Sequence, residues 1–308
     1  MKSFIKSSNG FSNIDHWEAN CWVNVECPTA ADKVYLIDDL KIPESYINDI
    51  EDVDERPRIE LEKGWFLIIL RVPYKSEDDS LPFSTIPMGL IFKGDVFVSV
   101  CYYKTEMLPD FIHYVNRKGH NILNNFDLVL KLLLSSSVWF LKYLKQINQR
   151  IKLAENQLEK SIKNEELHAL LQIEKCMVFF TTSLKGNDIL IHKIKNIKYH
   201  RDTYDVELLE DVEIELRQAQ ETTNIYSDIL RGMMGAYASV ISNNLNIIMK
   251  QLTSISIVLM IPTLVASLYG MNVPNSLQNS AWGFWIVILI SFVFSLSVVF
   301  LFRFKRWF

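Results

Sequence analysis

Residues 251–302 read QLTSISIVLMIPTLVASLYGMNVPNSLQNSAWGFWIVILISFVFSLSVVFLF and contain no Asp, Glu, Lys, Arg or His. Two apolar runs stand out in this stretch, from Leu252 to Tyr269 and from Trp282 to Phe302. Each is near the ~20 residues a helix needs to cross ~30 Å of hydrocarbon. A hairpin buried in a soluble core would need a polar face, and neither run carries a charged one. The stretch therefore predicts two C-terminal transmembrane helices. Leu128 to Leu144 is also apolar, but Lys131 and Lys142 interrupt it, so it reads as a packed soluble helix.

Charge sets the expected orientation. Lys250 precedes the first run, and Arg303, Lys305 and Arg306 follow the second, whereas the connection from Gly270 to Gly283 is uncharged. Positive flanks favour the cytoplasm, so both termini are expected inside the plasma (inner) membrane and the short loop outside. Trp282, Trp285 and Trp307 suit the two interfaces. The basic tail reads as an orientation anchor and can also meet anionic lipid.

The chain has 308 residues, 49% of them hydrophobic, and a net charge of -4. That average hides a soluble part that holds nearly all the charge. A mildly acidic balance gives no reason to expect nucleic-acid binding. Cys21, Cys27, Cys101 and Cys176 show no C-x-x-C spacing and read as reduced structural thiols. No H-E-x-x-H, Walker A or nucleophile–base pattern is present, so neither a zinc enzyme, an ATP site nor any other enzyme is expected. Met1 to Trp17 lacks the apolar core of a secretory signal, which leaves the soluble part in the cytoplasm.

The expected division is a cytoplasmic α/β domain (1–125), a helical hairpin (126–200), a stalk helix (201–250), a first span (251–270), an external loop (271–281), a second span (282–302) and a basic tail (303–308). The fold class is thus an α+β cytoplasmic domain with a long stalk and two C-terminal spans. Strands are expected at Trp22–Val25, Val34–Ile37, Trp65–Val72, Gly89–Phe92 and Val96–Cys101, the last two around the turn Lys93-Gly94-Asp95. A short helix is expected near Glu44–Ile50. Longer ones run from Asp127 to Lys160 and, capped by Asn164, from Glu165 to Asn196, the latter weakened by Gly186. A third starts near Asp205 and continues into the first span to Leu268, which at 1.5 Å per residue is about 95 Å. Such a rod needs neighbours along its length, which points to bundling or oligomerisation.

Along that helix, positions alternately three and four apart are Gly232, Gly235, Ser239, Ser242, Asn246, Met249, Thr253, Ser256, Met260, Thr263 and Ser267. All are small, hydroxyl, amide or thioether residues, in a seam of period 3.5 that suits a bundle axis. Ile255, Ile257, Val258, Leu259, Ile261, Leu264 and Val265 lie between the stripes. Two readings of the seam compete. Small and hydroxyl residues let membrane helices pack closely. Alternatively, symmetry copies each one into a ring around a pore, with Asn246 an amide ring and Met249 and Met260 apolar collars. Leu252 replaces Thr253 at the axis if the helix is straighter.

Tyr269-Gly270-Met271-Asn272, placed between the two spans and followed by a basic tail, resembles the signature of the CorA magnesium-transporter family. The resemblance extends over the whole chain architecture. It implies a homopentameric funnel in the lipid bilayer, with the first span lining a pore for divalent cations. It implies passive uptake of Mg2+, with Co2+ and Ni2+ as further candidates, driven by the membrane potential and without an organic cofactor. Gly270, Met271 and Asn272 then shape the outer mouth, and Asn246, Met249, Leu252 and Met260 match the family's pore positions. The resemblance also implies that intracellular Mg2+ bound between subunits holds the channel closed. The matching carboxylates are Asp49, in Asn48-Asp49-Ile50 upstream of Arg56-Pro57-Arg58, and Asp211 on the stalk. The sequence departs from the family at Asn48, where an acid is common. It also departs in the loop Val273 to Ser280, which lacks the acid many relatives carry.

Two other functions fit less of the sequence. A zinc transporter of the related ZntB type typically carries Val where Met271 stands. A membrane-anchored scaffold requires no polar seam inside the bilayer.

Overall fold

Alternating apolar side chains give the strands two buried faces, and helices cover both. The computed structural model describes residues 2–7, 10–76, 80–119, 122–160, 164–196, 205–272 and 280–305. Two compact units result, Met1–Gly232 and Met233–Phe308.

In the first unit, the described strands are β1 (Lys2–Ser7), β2 (Phe11–Ile14), β3 (Trp22–Glu26), β4 (Arg58–Glu62), β5 (Trp65–Lys75), β6 (Phe83–Lys93) and β7 (Val96–Cys101). They form one sheet in the order β2-β1-β3-β7-β6-β5-β4. Only β3 and β7 pair in parallel, with Trp22 opposite Phe97. One face carries Val23, Val25, Leu67, Ile69, Ile91, Val98 and Val100. It packs under α1 (Ala30–Val34), a π-helical turn (Tyr35–Asp39) and α2 (Glu44–Glu51), which supply Leu36, Tyr46, Ile47 and Ile50. Each such side chain contributes about 1.5–3 kcal/mol when fully buried. The other face meets α4 (Asn125–Lys160) and α5 (Asn164–Lys195), and α3 (Met107–Lys118) lies against α4.

The apolar run Leu128 to Leu144 is a soluble helix, as its lysines indicate. Leu128, Val129, Leu130, Leu132, Leu133, Phe140, Tyr143 and Leu144 are buried. The interrupting charges are neutralised, Lys131 by Asp127 at 2.9 Å and Lys142 by Asp110 at 2.5 Å. Cys21, Cys101 and Cys176 are buried free thiols, and burial pushes the Cys101 thiol up to about 12. Cys27 alone among the four is exposed.

The strand expected at Val34–Ile37 is instead helical. Thr29 and Asp32 form a capping box upstream of it: the Thr29 hydroxyl accepts from the Asp32 N–H, and the Asp32 carboxylate accepts from the Thr29 N–H. That nucleus overrides the preference of Val34, Tyr35 and Ile37 for strands. Strands β1, β2 and β4 and helix α3 add to the sequence reading. Strand β4, Arg-Ile-Glu-Leu-Glu, is a charged edge strand with a weak apolar signal. Strand β6 begins at Phe83, earlier than Gly89, because Pro87 hides its continuity.

Helix α6 (Val206–Tyr269) starts where Asp205 Oδ1 accepts from the N–H groups of Glu207 and Leu208, at 3.0 and 3.4 Å. It contains Pro262. Its C-terminal part and α7 (Gly283–Phe304) make up the second unit.

Candidate ion pathway

In the second unit, both helices are long and apolar enough to cross a membrane. Unlike the core helices of a soluble protein, they leave bulky side chains bare, Phe300 being 72% exposed. The less exposed positions of α6 in this region include Ser254, Val258, Ile261, Val265 and Tyr269. On α7 they are Gly283, Val287, Ser291, Ser295, Val298 and Phe302. Spacings of three and four mark one face on each helix, the face it turns to the other span. Small residues there permit close approach. The Ser254 and Ser295 hydroxyls are buried without a hydrogen-bond partner among the described residues.

The seam occupies a different side of α6. At 3.6 residues per turn, the arc through Asn246, Met249, Thr253, Ser256, Met260, Thr263 and Ser267 is centred about 150° from the arc facing α7. Ser256 is half-buried and the other six are exposed, Met260 by 65%. Leu252 is exposed as well, and it and Thr253 flank the centre of the seam on opposite sides. The Ser256 hydroxyl donates to the Leu252 carbonyl at 2.9 Å. The Thr263 hydroxyl reaches the carbonyls of Leu259 and Met260 at 3.1 and 2.9 Å. With the proton committed to the helix, each hydroxyl oxygen keeps acceptor capacity facing outward. Pro262 supplies no N–H to the Val258 carbonyl, which interrupts the ladder beside Met260 and Thr263.

Helix α6 closes at Tyr269, and the Gly270 N–H donates to the Ala266 carbonyl at 2.9 Å. A Cβ on Gly270 would stand 3.3 Å from that oxygen, so glycine suits the turn. Met271 and Asn272 follow and are exposed. Residues 273–279 of the loop, and Arg306 and Trp307 of the tail, lie outside the described residues.

The two expected sensor carboxylates lie in the first unit. Asp49 is on α2, and its Oδ2 accepts from Arg58 Nη2 at 2.6 Å. Arg58, on β4, also bonds Glu55 and lies 3.4 Å from Glu60. Partial burial opposes its charge, but Glu55, Asp49 and Glu60 hold its pKa above the ordinary value. Asp211 is exposed on α6 and lines a groove of about 750 Å3 with Asp110, Lys131 and Lys142. The structure does not join Asp49 to Asp211 by any polar contact among the described residues. No group of three or more His, Cys, Asp or Glu side chains there is placed to hold a metal.

Two glycine contacts seat the segment that carries Asp49 and Arg58. Ile50, next to Asp49, fills the space over Gly89 of β6, where a Cβ would overlap its Cδ1 and Cγ1. Pro57, next to Arg58, lies against Gly186 of α5, where a Cβ would stand 2.7 Å from Pro57 Cγ. Between them, the buried Arg71 guanidinium donates to the carbonyls of Val53 and Glu55 and to Thr85. Burial lowers the Arg71 pKa, with Asp54, Asp52 and Glu55 opposing. Asn187 and Ser136 in turn bond the Arg71 backbone carbonyl, tying the loop to α5 and α4. Sequence reasoning missed Gly89 and Arg71; their only signals are a glycine and a charge inside apolar strands.

A soluble α/β unit that leads through one long helix into a pair of apolar spans defines a two-span membrane protein. The chain belongs to the family of CorA-like Mg2+ transporter proteins, whose family model matches residues 17–306. A cobalt/magnesium transport protein CorA of Methanocaldococcus jannaschii is 24% identical over 261 residues, covering 83% of this chain and 81% of the relative. A protein of the same description from Thermotoga maritima is 24% identical over 311 residues, covering 93% and 83%. The complete structure of the CorA magnesium transporter from Methanocaldococcus jannaschii superposes with a TM-score of 0.86 at 23% identity, covering 100% of this chain and 99% of that one.

Proposed function

We propose that five copies of this chain assemble around the α6 seam into a channel for passive Mg2+ uptake across the plasma membrane, with both termini in the cytoplasm. The observation that carries this reading is the exposed polar seam on the side of α6 away from α7. A membrane helix that merely packs on its neighbour needs no such second stripe. Mg2+ holds its water shell tightly, and the hydrogens of those waters point outward. A pathway for the hydrated ion therefore needs acceptors. The amide oxygens of Asn246 and Asn272 and the hydroxyl oxygens of Thr253, Ser256, Thr263 and Ser267 supply them. Met249 and Met260, with Leu252, form apolar collars that close the path by excluding water. The membrane potential drives entry with about 2.3 kcal/mol per charge per 100 mV, roughly doubled for a divalent ion.

Gly270, Met271 and Asn272 form the outer mouth in this reading. Asp49 of one subunit and Asp211 of the next repel one another until intracellular Mg2+ bridges them, so the ion favours the closed assembly. Co2+ and Ni2+ match Mg2+ in charge and pass the same acceptors. In vesicles with an imposed potential, Asn272→Ala is expected to abolish Mg2+ flux while the oligomer stays intact. Undiminished flux overturns the assignment of the mouth. Competition among Mg2+, Co2+, Ni2+ and Zn2+ in the same vesicles ranks the ions.

A further inference from the structure

We propose that Arg58 is a tethered competitor for Asp49, a resident positive charge that a divalent cation must displace before it engages that carboxylate. The inference rests on the sensing role proposed for Asp49.

Three observations support it. The Asp49 carboxylate is already occupied, since Arg58 Nη2 holds Oδ2 at 2.6 Å. The pair is within reach of an ion from solution, with the Arg58 and Asp49 side chains 30% and 33% exposed. Arg58 also has somewhere to go, because Glu55 is already bonded to it and Glu60 is 3.4 Å away. A guanidinium presents several donors in a fixed fork, so it can release Asp49 while keeping Glu55. Displacement therefore exchanges partners and strands no charge.

The scaffold makes this exchange reversible. Ile50 over Gly89 and Pro57 against Gly186 fix the backbone on both sides of the pair. Arg71 holds the intervening carbonyls of Val53 and Glu55. When the ion leaves, Arg58 and Asp49 are still opposite one another. Apparent affinity falls by the fraction of time a site is competent. A latch closed about ten to one raises the Mg2+ needed for closure about tenfold. Arg58 thereby sets the sensing threshold.

The test measures the internal Mg2+ concentration that half-closes the full-length protein in vesicles. Arg58→Gln is expected to lower this midpoint at least threefold. Arg58→Lys is expected to lower it less, because the ammonium keeps the competing charge although it cannot fork between Glu55 and Asp49. Asp49→Asn is expected to raise it, and Arg58→Gln added to Asp49→Asn to change nothing further. Protection of the solubilised protein from protease by Mg2+ gives a second midpoint, independent of flux, that moves in the same direction. An Arg58→Gln midpoint that stays put or rises, while Asp49→Asn still raises its own, overturns the competitor role alone. No effect of Asp49→Asn removes the sensing role beneath it. If Arg58→Gln fails to assemble, Arg58→Lys decides, and a wild-type midpoint there overturns the proposal.

Discussion

Gly186 shows how one residue carries opposite meanings in sequence and in space. In a helix interior glycine costs about 1 kcal/mol relative to alanine, so the sequence marks α5 as weak there. In the fold, the missing Cβ is what admits the Pro57 ring. A rigid ring cannot swing aside as a flexible side-chain tip does, and overpacking costs about 1–3 kcal/mol. Gly186→Ala is therefore expected to lower the thermal midpoint of the protein despite its better helix propensity. A rise in the melting temperature shows propensity winning. The same spatial logic explains what sequence left hidden at this scale. Asp49 and Arg58 are nine residues apart with no periodic relation. Their pairing depends on the turn from α2 into β4, which Arg71 organises from the neighbouring strand β5.

Elements were legible where a single physical pattern persisted over many residues. The three long helices follow apolar periodicity within a residue or two of their ends, and the spans follow from the absence of charge. Short elements were decided by local bonds that periodicity does not see. The Thr29–Asp32 capping box turns Val34–Ile37 into helix, and pairing with β3 makes a strand of Lys2–Ser7. The helical period also yields a test of the seam. Met260 and Val265 lie on opposite sides of α6, one exposed and one half-buried. In a Cys27→Ser background, Met260→Cys is expected to react at least tenfold faster than Val265→Cys with a cationic thiol reagent that cannot cross the bilayer, when Mg2+ is absent. Equal rates remove the water-filled path along the seam.

For the whole molecule, the family and the architecture were readable from one four-residue signature in its setting between two spans. The assembly is where a single chain stops being informative, because rings and bridges between copies leave no trace inside one copy except surfaces without a partner. Those surfaces include the exposed seam and Asp211, which stands apart from Asp49. Native mass spectrometry of the detergent-released protein is expected to give five chains per particle. A dimer or trimer rules out the ring geometry assumed for Asn246, Met249 and Met260.

The uncharged stretch from Gln251 to Phe302 has an electrical consequence. A voltage sensor works because fixed charges on the protein move through the field, each contributing about 2.3 kcal/mol per 100 mV. Between Gln251 and Phe302 neither helix carries any such gating charge, and Arg303 stands only in the last turn of α7. On the proposed reading, depolarisation weakens the pull on a permeating ion but does no comparable work on the helices themselves. In the proposed channel, current is therefore expected to track the driving force, with opening left to ion binding outside the spans.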